Sequence, residues 1–176
     1  MRNKVFIAVS FDGYIADEHG GIEWLTDLPN PSTGDGGFSK FMESVDALVM
    51  GRATFEKVLS FGIEWPYSKK VFVWTSALDR VPAPLEGRAE IVRGQVTQVL
   101  ERVHALGFNN LYIDGGKTIQ SFMRAGWIHE ITVTVAPIVL GRGIPLFGDL
   151  PKTRMRLLGA ETLDNGMVQL RYEISG

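Results

Sequence analysis

The chain has 176 residues, 45% hydrophobic and 22% charged, which suits one domain spanning 1–176 with a substantial core. A formal net charge of −2 and a pI of about 5.9 exclude a general nucleic-acid binder, which carries a basic excess. With no cysteine, disulfides, thiolate metal sites and cysteine nucleophiles are excluded, and the composition fits a reducing cytoplasm.

Val5-Phe6-Ile7-Ala8-Val9 is a continuous apolar run, the pattern of a strand covered on both faces. Asp12 interrupts it too early for a signal peptide, and no segment approaches the length of a membrane span. The strand ends in Ser10-Phe11-Asp12-Gly13, placing Ser10 and Asp12 at the carboxyl edge of a central strand. Ligands sit at that edge in open α/β sheets. A plain strand exit with an Asp-Gly turn reads the same residues equally well.

Residues 17–37 read as a long glycine-rich connection holding Trp24 and Asp35. Trp24 either covers a site or anchors the loop. Phe38, Phe41, Met42 and Val45 then recur at helical spacing, with Phe38 placed to face a ligand at the helix start.

Two segments share one pattern. Ala47-Leu48-Val49-Met50 is a buried strand running into Gly51-Arg52-Ala53-Thr54 and a helix. Leu111-Tyr112-Ile113 is a second, running into Gly115-Gly116-Lys117-Thr118-Ile119 and a helix stopped near Gly126. A helix start offers unpaired N–H groups and the positive end of its dipole, which suits phosphate. Arg52 and Lys117 add a cation to each turn, and Thr118 a hydroxyl. Either turn alone also reads as a tight connection without a ligand; the pair points to one phosphate-bearing ligand spanning both.

Val71-Phe72-Val73-Trp74 is a further strand ending in Thr75-Ser76, whose hydroxyls suit phosphate or ribose, or cap a turn. Ile91-Val92 follows as a short strand, and Val96, Val99, Leu100 and Val103 mark an amphipathic helix. From Ile131 the pattern alternates and continues toward Leu140. Residues 154–174 read as a hairpin around Asn165-Gly166. The chain therefore predicts an α/β fold with a mixed sheet flanked by helices. His19, His104 and His129 lack ligand spacing, so no metal is expected, and no G-x-S-x-G elbow is present.

Four segments in this order, Ala8 to Ala16, Val49 to Phe55, Ile113 to Gly116 and Leu140 to Phe147, resemble the dihydrofolate-reductase-like superfamily. More closely, they resemble the reductase, C-terminal domain of the riboflavin-biosynthesis deaminase-reductase RibD. The resemblance implies a three-layer α/β/α fold with a central, mostly parallel mixed sheet and a C-terminal antiparallel hairpin. It implies NADPH as cofactor. Gly51, Arg52, Ala53 and Thr54 would hold one phosphate group, with Arg52 near the 2′-phosphate. Thr75 and Ser76 would lie along the adenosine, Gly115, Gly116, Lys117, Thr118 and Ile119 at the pyrophosphate, and Ala8 near the nicotinamide. The implied activity is reduction of a pyrimidine- or pterin-like heterocycle, most specifically 5-amino-6-(5-phosphoribosylamino)uracil. A dihydrofolate-type reductase and a non-catalytic nucleotide-binding homodimer are the alternatives. Ser10, Asp12, Trp24, Asp35 and Phe38 would face the substrate. Asp35 and Asp12 are the candidate proton-handling groups, with a helix N-cap as the other role for Asp35. A homodimer is expected.

Overall fold

The computed structural model describes residues 1–29, 31–32 and 34–174. An eight-stranded sheet forms the middle layer. Its strands, in chain order, are β1 (Arg2–Ser10), β3 (Ala47–Gly51), β4 (Lys70–Trp74), β5 (Ala89–Val92), β6 (Asn110–Asp114), β7 (Glu130–Ala136), β9 (Met155–Thr162) and β10 (Val168–Ile174). Across the sheet they run β5-β4-β3-β6-β1-β7-β10-β9. The six from β5 to β7 are parallel, and β10 and β9 complete the sheet as an antiparallel hairpin. Two short strands, β2 (Tyr14–Ala16) and β8 (Ile144–Pro145), pair separately.

Helices cover both faces, because the parallel strands are apolar on both. On one face, α4 (Val96–Ala105) and α5 (Gly116–Arg124) pack Val99, Val103, Ile119 and Phe122 onto Val49 and Phe72. On the other, α2 (Phe38–Glu43) and α3 (Arg52–Ser60) set Phe41 and Phe55 against Leu48, Met50 and Val73. Alternate residues of β3 therefore feed two different cores, as the period of two in a strand requires.

Three sequence expectations change in detail. The connection 17–37 holds a one-turn helix, α1 (Glu23–Thr26), whose four residues are too few to show a periodic stripe. The alternating segment leaves the sheet after Ala136, since Pro137 has no N–H to continue a ladder. In the hairpin, Leu163 pairs across the loop with Met167, and the Gly166 amide returns to the Leu163 carbonyl. Asp164 and Asn165 are thus the central turn residues. Gly166, at φ +84°, takes the left-handed position after them, a turn followed by a bulge rather than a two-residue Asn-Gly turn.

Candidate functional site

The two glycine turns meet at the carboxyl edge of the sheet. β3 and β6 are neighbours, but the helix after β3 lies on one face and the helix after β6 on the other. A crevice between oppositely directed connections is the usual ligand position in such sheets. The turns are in contact: a Cβ at Gly51 would lie 2.8 Å from Thr118 Oγ1, and one at Gly115 would overlap Thr54 Oγ1. Gly116 makes room for Ile15 of β2. The missing side chains thus serve close packing of the turns against each other.

The helix starts themselves stay available. Neither α3 nor α5 has a side-chain N-cap. Arg52 and Lys117 are both exposed beside them. Arg52 pairs with Glu56 one turn on, at 2.9 Å in an exposed ion pair, of a kind worth little and readily exchanged. Ala53 is exposed and Thr54 half-buried against the second turn. Thr118 is buried. Ile119 is a correction: its side chain is fully buried in the core and its amide donates to the Gly115 carbonyl at 2.8 Å. It braces the turn and presents nothing to the edge.

Beyond β3, the end of β4 opens a cavity of about 310 Å³ lined by Trp74, Thr75, Ser76, Arg93 and Gly94. Arg93 escaped the sequence reading. It is brought here because β5 pairs with β4, and the Trp74 indole donates to the Gly94 carbonyl at 2.9 Å. Its guanidinium is held by the Leu78 carbonyl at 2.6 Å.

On the other side, β1 and β6 part. They pair only from Arg2↔Asn110 to Lys4↔Tyr112, while β1 continues along β7 to Ser10. Peptide groups alternate sides along a parallel strand. The Arg2 amide bonds toward β6 and Asn3 toward β7, so Phe6 and Ala8 turn theirs toward β6, where pairing has stopped. The Phe6 carbonyl accepts the Tyr112 hydroxyl at 2.8 Å. The Tyr112 hydroxyl also interacts with Asp114, the last residue of β6. Loss of water around its carboxyl pushes it up to about 6, against the Gly115 amide and the Tyr112 hydroxyl, which favour the ionised form. Burial, with Asp114 adding to it, raises Tyr67 and Tyr112 in turn. The sequence signal for Asp114 was there, an acid closing an otherwise apolar strand, but it was read only as part of the turn.

Phe6 and Ala8 also line a cavity of about 550 Å³ beneath the 25–38 segment. Phe38 and Asp35 line it, and the Phe6 and Phe38 rings meet edge-on with centroids 5.6 Å apart. Asp35 Oδ1 accepts the Gly37 amide (3.1 Å). Its Oδ2 accepts the Ser39 amide (2.7 Å) and hydroxyl (2.5 Å). The Ser39 hydroxyl, then the two amides, hold its carboxyl below the usual range. Asp35 therefore caps α2 and faces the cavity at once, as a carboxylate.

Ser10, Asp12 and Trp24 do not line that cavity. Ser10 is fully buried and donates to Asp12 Oδ1 at 2.6 Å. Asp12 also accepts the amides of Leu140 (3.1 Å) and Gly141 (2.7 Å), which joins the two loops. The Ser10 hydroxyl first, then those amides, lower its pKa. Asp12 thus latches the Ser10 and Leu140–Gly141 loops together as a carboxylate. Trp24 is half-buried with its indole nitrogen enclosed, and it is the following Leu25 and Thr26 that reach the cavity. Among the described residues no cluster of acids and histidines could hold a metal, and no helix is long and apolar enough to cross a membrane.

Order of strands and antiparallel hairpin together define a dihydrofolate-reductase-like α/β domain, with a crevice at the carboxyl edge of its sheet beside a separate apolar cavity. Its family follows from the sequence match: the RibD C-terminal domain model covers residues 4–169, and the chain belongs to that family. A solved structure from Shewanella sp. PV-4, provisionally named a riboflavin biosynthesis protein, is similar over 100% of both chains at 45% identity and a TM-score of 0.95. The uncharacterised protein YwjB of Bacillus subtilis (strain 168) is 35% identical over 174 residues, 97% of each chain. Dihydrofolate reductase from Enterococcus faecalis, solved with NADP(H), shares the fold, with a TM-score of 0.64 at 16% identity, over 99% of this chain and 97% of that one.

Proposed function

We propose that this chain is an NADPH-dependent reductase of a small pyrimidine- or pterin-like heterocycle. The observation that carries this reading is the continuity of one edge. Two uncapped helix starts meet there, flanked on one side by the Thr75–Ser76–Arg93 cavity and on the other by the split between β1 and β6. A phosphorylated dinucleotide needs those features in that order. Arg52 and Arg93 would hold the 2′-phosphate, Thr75 and Ser76 the adenosine side, and the first turn of α5 with Lys117 the pyrophosphate. Bound NADPH would supply the hydride. Ala8, in the split and on the cavity wall, would set the distance between the two ligands. Asp114, across the split, would carry a proton up to about pH 6, well above the ordinary carboxyl range, and pass it to a ring nitrogen. Asp35 would anchor the heterocycle.

The test is cofactor preference. Charged hydrogen bonds contribute about 1.5–3 kcal/mol, so Arg52→Ala should weaken NADPH roughly ten- to hundredfold. NADH, which lacks the 2′-phosphate, should be little affected, and Arg93→Ala should act in the same direction. Equal losses for both nucleotides in fluorescence titrations would remove these arginines from the 2′-phosphate.

A further inference from the structure

The geometry points to a substrate without a phosphate: a neutral or cationic nitrogen heterocycle, seated on Phe6 and Phe38 with an N–H directed at Asp35. This rests on the reductase reading and names the substrate class for the same cavity.

The cavity is large enough for a bicyclic ring, at about 550 Å³. Its described lining is mostly apolar, with Thr26, Asp35, Thr134 and Asn165 as its polar side chains and no lysine or arginine. Burying a phosphate in such a place without a paired cation is strongly unfavourable.

Two strand cations on this face of the sheet, Lys4 and Arg171, are directed elsewhere. Lys4 bonds the Ser44 hydroxyl at 3.0 Å beneath α2. Arg171 is next along β10, but its guanidinium lies over Gly159 of the outer strand β9. Between Arg171 and the cavity stands Gln169, whose amide donates to the Gly36 carbonyl (2.9 Å) and to Thr134 Oγ1 (3.0 Å). The start of α2 could have offered amides to an anion, yet the Gly37 and Ser39 amides are already taken by Asp35. A phosphate would meet that carboxylate instead of a donor.

The same bonds limit what Asp35 can do. A carboxylate has about four acceptor positions, and three are used by Gly37 and Ser39. One remains, on Oδ1, which suits a single N–H or a protonated ring and not a paired donor edge. Thr134 accepts from Gln169, which leaves its own hydroxyl hydrogen free for a ring carbonyl or nitrogen.

Calorimetric titration of the NADP⁺-loaded protein tests this with matched probes: 5-amino-6-ribosylaminouracil, its 5′-phosphate, and 2,4-diaminopyrimidine. Either unphosphorylated ring should bind, the 5′-phosphate should bind at least tenfold more weakly than its parent, and Asp35→Asn should weaken the diaminopyrimidine at least tenfold. Asn keeps an acceptor for Ser39, and Thr134→Val serves as a second variant should α2 loosen. Tighter binding of the 5′-phosphate, or binding of neither unphosphorylated ring, overturns the inference. If the unphosphorylated rings bind as stated but the protein neither binds NADPH nor oxidises it with any of them, the substrate class stands and the reductase reading falls.

Discussion

Replacing Asp114 by Asn should cut turnover roughly 10²–10⁴-fold, the usual contribution of a positioned general acid, and at the same time stabilise the protein in alkaline buffer. The two effects share one cause. Burial raises the Asp114 carboxyl from 3.8 to about 6, so the folded state holds its proton more tightly than the unfolded chain. Stability is then lost as pH rises from about 4 to about 6, and the full penalty persists above that. At about 1.36 kcal/mol per pH unit the penalty is roughly 2–3 kcal/mol. Asn does not ionise, and its side-chain oxygen can still accept the Gly115 amide that Asp114 Oδ1 accepts at 2.8 Å. At pH 8 the variant should melt several degrees higher, taking roughly 2–4 °C per kcal/mol for a domain of this size. At pH 4 the two proteins should melt alike. The wild-type rate should fall as pH rises through about 6, and the residual rate of the variant should not follow that curve. A melting difference that is the same at both pH values would show that Asp114 is not held protonated by its surroundings.

The second large effect belongs to the turn. Gly115 has φ +89° and ψ 136°, a conformation essentially confined to glycine. A methyl group there would also overlap Thr54 Oγ1. Gly115→Ala should therefore cost roughly 2–4 kcal/mol, combining backbone strain with overpacking. Gly126 provides the comparison: its φ is +72°, but a Cβ would meet no atom within 4 Å. Gly126→Ala should cost only the backbone strain of an L-residue in the left-handed region, roughly 1–2 kcal/mol. Adding Thr54→Ala to Gly115→Ala should recover the steric share and leave the backbone share. Chemical denaturation giving equal losses at positions 115 and 126 would mean that the turns do not press together as described.

Much of the frame was legible because β1, β3 and β6 are short apolar runs bounded by glycine or polar residues, and because α4 and α5 carry clear stripes. The paired turns were legible for the same reason. What the turns do with their glycines was not: the close approach of Thr54, Thr118 and Ile15 depends on strand order, which spacing along the chain does not encode. Asp12 looked like a free acid because its partners, the Leu140 and Gly141 amides, lie 128 and 129 residues away. Arg93 and Asp114 were passed over for a related reason. Their importance comes from β5 lying beside β4 and from β6 parting from β1, two facts of pairing. Asp35, by contrast, sits within four residues of everything it binds, and its capping geometry could be anticipated from local sequence.

The most direct test of the shared edge is a calorimetric titration of the unliganded protein with NADPH, followed by melting at saturation. One site per chain is expected, tighter for NADPH than for NADH, with a stability gain of about 2.7 kcal/mol at a hundred times the dissociation constant. No heat of binding and an unchanged melting temperature at millimolar NADPH would contradict it.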